Sequence, residues 1–109
     1  MSLLNLFSDP KKAEMESVAL SEFNRVAQMI YNGQLHERVN LTQMTGHTQQ
    51  IASAVNRMLD AIVQPLDMTA GYLDQMAKGA IPAKITGNYN GDFNTLKVNL
   101  NTCVDSLHG

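Results

Sequence analysis

The sequence predicts an all-α fold of two consecutive helix–connector–helix modules, stacked end to end and paired with a second copy of the chain. The prediction depends on an aliphatic composition, a repeated connector pattern and apolar residues spaced alternately three and four apart. The 109 residues are 44% hydrophobic but only 6% aromatic, with seven Met and no Trp. This composition favours aliphatic helix packing over an aromatic-rich β-sandwich.

The repeat is clearest in two connectors that share the pattern Gly-x-apolar-x-x-x-apolar at an offset of 46 residues. Glycine ends a helix at low cost because it adopts the left-handed conformation readily. The apolar residues that follow are predicted to anchor an extended connector along the side of a helical bundle. The glycines and anchors are Gly33, Leu35 and Val39 in the first connector, and Gly79, Ile81 and Ile85 in the second.

Each connector lies between two segments whose apolar residues are alternately three and four apart, which keeps one stripe of a helix facing a partner helix. We call this predicted dimer interface the seam. In the first module the seam comprises Leu20, Phe23, Ala27 and Ile30, then Ile51, Val55, Met58 and Ile62. In the second it comprises Leu66, Thr69, Leu73 and Met76, then Phe93, Leu96, Leu100, Cys103 and Leu107.

A single chain has a small core for its length. About a dozen large seam residues, at roughly 1.5–3 kcal/mol each, face an ordering entropy of about 1.5 kcal/mol per residue. Two parallel chains convert each two-helix module into a four-helix bundle and bury the seam from several directions. We therefore expect a parallel homodimer with no stable folded monomer, although one stripe alone is also typical of a simple helical hairpin.

The modules are predicted to join within a helix that runs from about Thr48 to Met76. Pro65 lies inside it and removes one amide donor, so we expect a kink, a brief interruption or a plain helix end there. The apolar steps from Met58 to Leu66 also depart from strict heptads, as in a stutter. Pro65 therefore marks the boundary between modules 15–63 and 64–109, which follow an N-terminal segment, 1–14.

The last helix is predicted to start near Asp92. A carboxylate at this position accepts hydrogen bonds from the free backbone amides at a helix start and interacts favourably with the helix dipole. In the second connector, Asp92 follows Gly91 and precedes the seam residue Phe93.

Composition and charge argue against several classes of function. The formal charge is −2 with scattered Lys and Arg, which does not suit nucleic-acid binding. Cys103 is the one cysteine, which excludes an intrachain disulfide and favours a cytoplasmic setting. His36-Glu37-Arg38 lacks a second His at the spacing of a zinc motif. We predict no catalysis, no cofactor, no metal and no small-molecule substrate.

The order of seam helix, glycine-initiated connector and second seam helix occurs twice, and this repeated order resembles tandem HAMP domains. More narrowly, the segments Gly79–Ile85 and Tyr89–Phe93, together with Leu100-Asn101, are similar to stacked HAMP copies in methyl-accepting chemotaxis proteins and sensor kinases. The resemblance implies a parallel homodimer that relays conformational change between adjoining sensor and output domains of a bacterial receptor. It places the segment in the cytoplasm and allows the full-length protein an association with the inner membrane.

Two alternatives to a chemotaxis relay are open at this point. The segment could be the dimerisation stem of a sensor histidine kinase or nucleotide cyclase whose catalytic domain lies further along the chain. It could also be a static coiled-coil spacer that only sets a distance. The phase change near Pro65 and the poor seam filler Thr69 argue against the spacer, because they favour two packings of similar energy.

Overall fold

The computed structural model of the protein describes residues 9–108. Within that range the chain forms three α-helices and no strand, so the predicted all-α class is confirmed. The helices are α1, Pro10–Tyr31, α2, Gly46–Ala77, and α3, Gly91–His108. Two connectors without regular structure join them, residues 32–45 and 78–90.

The chain divides between Val63 and Gln64 into two compact units that share the long helix α2. The first unit holds α1, the first connector and the first part of α2. The second holds the rest of α2, the second connector and α3. Of the predicted N-terminal segment, residues 1–8 lie outside the described residues, and α1 already begins at Pro10.

Helix α1 begins with a side-chain cap. The Asp9 carboxylate accepts hydrogen bonds from the backbone amides of Lys11 at 3.0 Å and Lys12 at 3.4 Å. Pro10 occupies the first helical turn, where its missing amide has no partner to lose. The cap satisfies donors that no helical carbonyl reaches, so it fixes where the helix starts.

Both connectors begin with the same helix termination. Gly33 has φ 89° and Gly79 has φ 85°, the left-handed conformation that the sequence pattern predicts. The Gly33 amide bonds the Ile30 carbonyl at 2.9 Å, and the next amide, of Gln34, bonds back to Met29 at 2.9 Å. The second connector repeats this arrangement, with Gly79 bonding Met76 at 3.1 Å and Ala80 bonding Gln75 at 2.9 Å. These bonds form a Schellman motif, which satisfies carbonyls left free at the helix end.

Each connector is followed by a glycine of positive φ that is the first residue of the next helix, Gly46 at 60° and Gly91 at 56°. These two glycines are 45 residues apart, one fewer than the pair at the connector starts. The second connector is therefore one residue shorter. Asp92 lies in the first turn of α3, as the sequence predicts.

Helix α2 passes through Pro65 without a break in the helical assignment. The expected interruption or helix end at Pro65 is therefore wrong. Pro65 has no backbone N–H to donate to the helix. Its carbonyl accepts a hydrogen bond from the Thr69 hydroxyl at 2.8 Å. The Pro65 side chain is almost fully buried.

Each unit has its own small apolar core. In the first unit, Ala19 of α1 and Ala52 of α2 are buried together with the connector residues Val39 and Met44. Partly buried side chains pack against this cluster, namely Phe23, Ile30, Leu41, Val55 and Leu59. In the second unit, the buried apolar side chains include Ile85 of the connector and Leu100 and Val104 of α3. In both units, therefore, the connector contributes to the core.

Candidate functional site

The candidate site is the pair of connectors together with the helix side chains that hold them. In the first unit, the Val39 amide donates to Asn56 Oδ1 at 2.8 Å, and Asn56 Nδ2 donates to the Val39 carbonyl at 3.0 Å. In the second unit, the Ile85 amide donates to Asn101 Oδ1 at 2.8 Å, and Asn101 Nδ2 donates to the Ile85 carbonyl at 3.1 Å. We call this paired arrangement the asparagine clasp.

The clasp allows the connector backbone to lie against a helix. Val39 and Ile85 are buried, at 4% and 7% exposure, so their peptide groups have little access to water. A buried peptide group without a partner is costly, and one asparagine side chain offers both the acceptor and the donor that such a group needs. Each clasp therefore fixes the connector at one register along its helix.

An ion pair lies beside each clasp. Arg38 Nε is 2.9 Å from Asp60 Oδ1, and Lys84 Nζ is 2.7 Å from Asp105 Oδ1. In both units the base precedes the clasped residue by one position, and the acid follows the asparagine by one helical turn on the same face. A single exposed pair stabilises little. Its recurrence shows that the two connectors dock in the same way.

The first connector has an additional ionic tether to α1. Arg25 forms a two-pronged pair with Glu22, with Nε 2.7 Å from Oε2 and Nη2 3.2 Å from Oε1. The other side of its guanidinium reaches the connector, with Nη1 2.6 Å from Glu37 Oε1 and Nη2 3.1 Å from the Arg38 carbonyl. Glu22 also accepts the Asn40 amide at 3.0 Å. We call Glu22, Arg25 and Glu37 the charge network.

The charge network shifts the pKa of two residues, Glu22 and Arg25. The hydrogen bond from Arg25, and then the hydrogen bond from the Asn40 amide, hold the pKa of Glu22 below its ordinary value. Hydrogen bonds to Glu22 and then to Glu37 raise the pKa of Arg25 further above its ordinary value. Glu22 and Arg25 are therefore both charged near neutral pH.

The second connector is tethered to α2 by neutral groups. The Tyr72 hydroxyl donates to the Ala83 carbonyl at 2.7 Å, and the Tyr89 hydroxyl donates to Met68 Sδ at 3.3 Å. From α3, Lys97 Nζ donates to the Gly87 carbonyl at 2.8 Å. A comparable neutral tether lies near the end of the first connector, where the Thr45 amide donates to Met15 Sδ at 3.3 Å.

The predicted anchors have different environments in the structure. Val39 and Ile85 are buried and clasped, whereas Leu35 is half-buried and Ile81 is 46% exposed. The single chain thus anchors the second connector at Ile85 rather than at Ile81. From the sequence, no docking role was predicted for Asn56 or Asn101. The available signal was an asparagine directly after a seam residue in both units, after Val55 and after Leu100.

Most of the predicted seam lies on the surface of the single chain. In the first unit, Leu20 and Met58 are each 61% exposed and Ile51 is 58% exposed. The other exposed seam residues are Ala27, Ile62, Leu66, Leu73, Cys103 and Leu107. Those that are half-buried are Phe23, Ile30, Val55, Thr69, Met76, Phe93 and Leu96. Leu100 is an exception, because it is 6% exposed and packs within its own unit.

Two helices joined by an extended connector that is clasped to the second helix define a helical linker module. The chain belongs to the HAMP domain family, whose model matches residues 43–109, including α2, the second connector and α3. HAMP domains are non-catalytic, signal-transducing linkers of bacterial sensory proteins. The comparisons with curated proteins and with solved structures gave no match. No helix within residues 9–108 is long and apolar enough to cross a bilayer.

Proposed function

We propose that the chain is a tandem of two HAMP modules, 15–63 and 64–109, which acts as a parallel homodimer in the cytoplasm. In this role it relays conformational change from a sensor domain to the output domain of a bacterial chemotaxis receptor. The family match supports the relay, because HAMP domains typically function as dimeric linkers between sensor and output domains. The tandem, the dimer and the chemotaxis setting are our inferences.

The repeated contacts support the tandem arrangement. The second connector lies inside the residues that match the HAMP model, whereas α1 precedes them. The first connector nevertheless has the same Schellman motif, asparagine clasp and adjacent ion pair as the second. These are three independent local arrangements, and their shared order is most simply explained by two copies of one module.

The observation that carries the dimer is the exposed apolar seam. Leu20 on α1 and Ile51 and Met58 on α2 are more than half exposed, although each belongs to the three-four pattern. Exposed aliphatic residues at coiled-coil spacing favour a partner helix, because burial removes their apolar surface from water. A parallel second copy presents an identical stripe at the same height, which completes a four-helix bundle.

Crosslinking tests the dimer and the relay together. In a Cys103→Ser background, Met58→Cys places a thiol on the seam. Gln49→Cys places one nine residues earlier, which is about half a turn away around the same helix and therefore on its opposite face. Oxidation should link Met58→Cys to its own copy and leave Gln49→Cys unlinked. Light scattering on the Cys103→Ser protein should give the mass of two chains.

The same variant in the intact receptor distinguishes a relay from a passive stem. If the bundle changes its packing during signalling, the rate of the Met58→Cys crosslink should differ between the stimulated and unstimulated receptor. A crosslinking rate that is the same with and without the stimulus would contradict the relay. A monomeric mass, with equal crosslinking at the two positions, would contradict the dimer.

A further inference from the structure

The two connectors are held to the preceding helix by different chemistry. The first is tethered by the charge network, in which Arg25 of α1 lies between Glu22 of its own helix and Glu37 of the connector. The second is tethered by the Tyr72 hydroxyl, which reaches the Ala83 carbonyl. Both tethers act on the segment just before the clasped residue.

The repeat shows that this difference is encoded in the sequence. At the offset of 46 residues, the positions that match Glu22, Arg25 and Glu37 are Met68, Gly71 and Ala83. None of these three can carry charge. The charge network is thus specific to the first unit, whereas the asparagine clasp and its adjacent ion pair occur in both.

We propose that the charge network makes docking of the first connector more sensitive to ionic strength than docking of the second connector. The first module is therefore the more salt-responsive part of the tandem. The docking difference does not depend on the proposed relay function. Only an effect of salt on signalling would depend on it. Docking is a property of the chain by itself and is measured without any output domain.

The geometry of the network accounts for its sensitivity. Arg25 and Glu37 remain partly open to solvent, with side-chain exposures of 42% and 38%, so mobile ions can approach both groups. The Debye length falls from about 10 Å at 0.1 M salt to about 3 Å at 1 M, which is comparable to the pair distances. An exposed pair is weakened under these conditions, whereas a neutral hydroxyl-to-carbonyl hydrogen bond has no net charge to screen.

Amide hydrogen exchange at constant pH provides a matched pair of reporters. The Val39 and Ile85 amides each donate to an asparagine Oδ1 at 2.8 Å, so exchange at both requires opening of the same kind of hydrogen bond. Both also lie beside a basic–acidic pair, so screening of that pair contributes to the salt response of both reporters. Only the difference between the two responses is assigned to the charge network. Exchange is measured on the whole chain in 0.05 M and 1 M NaCl, with sucrose of equal osmolality as a control for water activity.

We expect the higher salt to accelerate exchange at Val39 relative to Ile85 by about threefold, since the network combines several weak pairs. Sucrose should not reproduce this change. Arg25→Gln should give fast exchange at Val39 already in low salt and remove the excess of its salt response over that of Ile85. Glu37→Gln, which keeps the Arg25–Glu22 pair, should show a reduced response. Tyr72→Phe should accelerate Ile85 equally at both salt concentrations.

Three results would overturn the inference. Equal acceleration at Val39 and Ile85 would show that salt acts on features common to both modules. An excess salt response at Val39 that survives in both Arg25→Gln and Glu37→Gln would assign it to other charges. A salt response at Ile85 that exceeds the response at Val39 would reverse the assignment. Each of these results leaves the proposed relay function untouched, because crosslinking at the seam tests that function separately.

Discussion

Asn56 holds Val39 by both polar groups of its peptide backbone, although 17 residues separate them in the chain. Asn101 holds Ile85 in the same way across 16 residues. An asparagine in this role cannot be replaced by an apolar residue of similar size, because the buried peptide group would lose both partners. The clasp is therefore the contact whose loss should most directly release a connector.

Removing the second clasp should destabilise the protein. For Asn101→Ala we expect a loss of about 1–3 kcal/mol in the free energy of unfolding, because the Ile85 peptide group loses both partners. Asn99→Ala is a matched control, since Asn99 is an exposed asparagine on the same helix. Urea unfolding followed by circular dichroism measures both variants. Similar losses in the two would show that the clasp adds no stability.

Alanine should have opposite effects at two glycines that both have open space where a Cβ would lie. At Gly79, with φ 85°, alanine is strained and should destabilise the protein by about 1 kcal/mol. At Gly71, inside helix α2, alanine should stabilise it by up to about 1 kcal/mol, because the unfolded chain loses freedom. Thermal unfolding of the two single variants gives the signs. Stabilisation by Gly79→Ala would contradict the left-handed termination.

Acid should release the first connector through Glu22. The pKa of Glu22 is lowered in the folded chain, so its contribution to stability is present above the unfolded pKa and is lost as the pH falls through the folded pKa. The surrounding charges are Arg25 on the same helix and Glu37 and Arg38 on the connector. A carboxyl-carbon NMR titration should show the low pKa of Glu22, and Arg25→Gln should raise it. An unchanged titration in Arg25→Gln would contradict the pairing.

Replacing Thr69, the polar residue of the seam, with leucine should distinguish a relay from a static spacer. Thr69 is a poor apolar filler, and its hydroxyl bonds back to the Pro65 carbonyl. Thr69→Leu should favour one packing of the bundle and bias the output of the intact receptor toward one state. Ala70→Leu is the control, because Ala70 is the exposed neighbour outside the three-four pattern. Output that responds to stimulus as before in Thr69→Leu would support the spacer.

The sequence by itself determined the local features of this protein. Glycine spacing predicted both helix terminations, and the three-four periodicity predicted the helices, because φ preferences and hydrophobic period are properties of short segments. Proline chemistry marked the place where the two compact units meet. It did not predict that the helix continues through Pro65, because the expected interruption or helix end is absent from α2.

Only the tertiary structure decided what holds the connectors. Whether Asn56 reaches Val39, or Arg25 reaches Glu37, depends on how closely a connector approaches a helix from a distant part of the chain. It also separated Leu100, buried within its own unit, from Leu107, which is 48% exposed on the same predicted stripe. Periodicity assigns residues to one side of a helix. Which of those residues contact other parts of the same chain depends on how whole helices and connectors pack, because one helical face contacts different neighbours along its length.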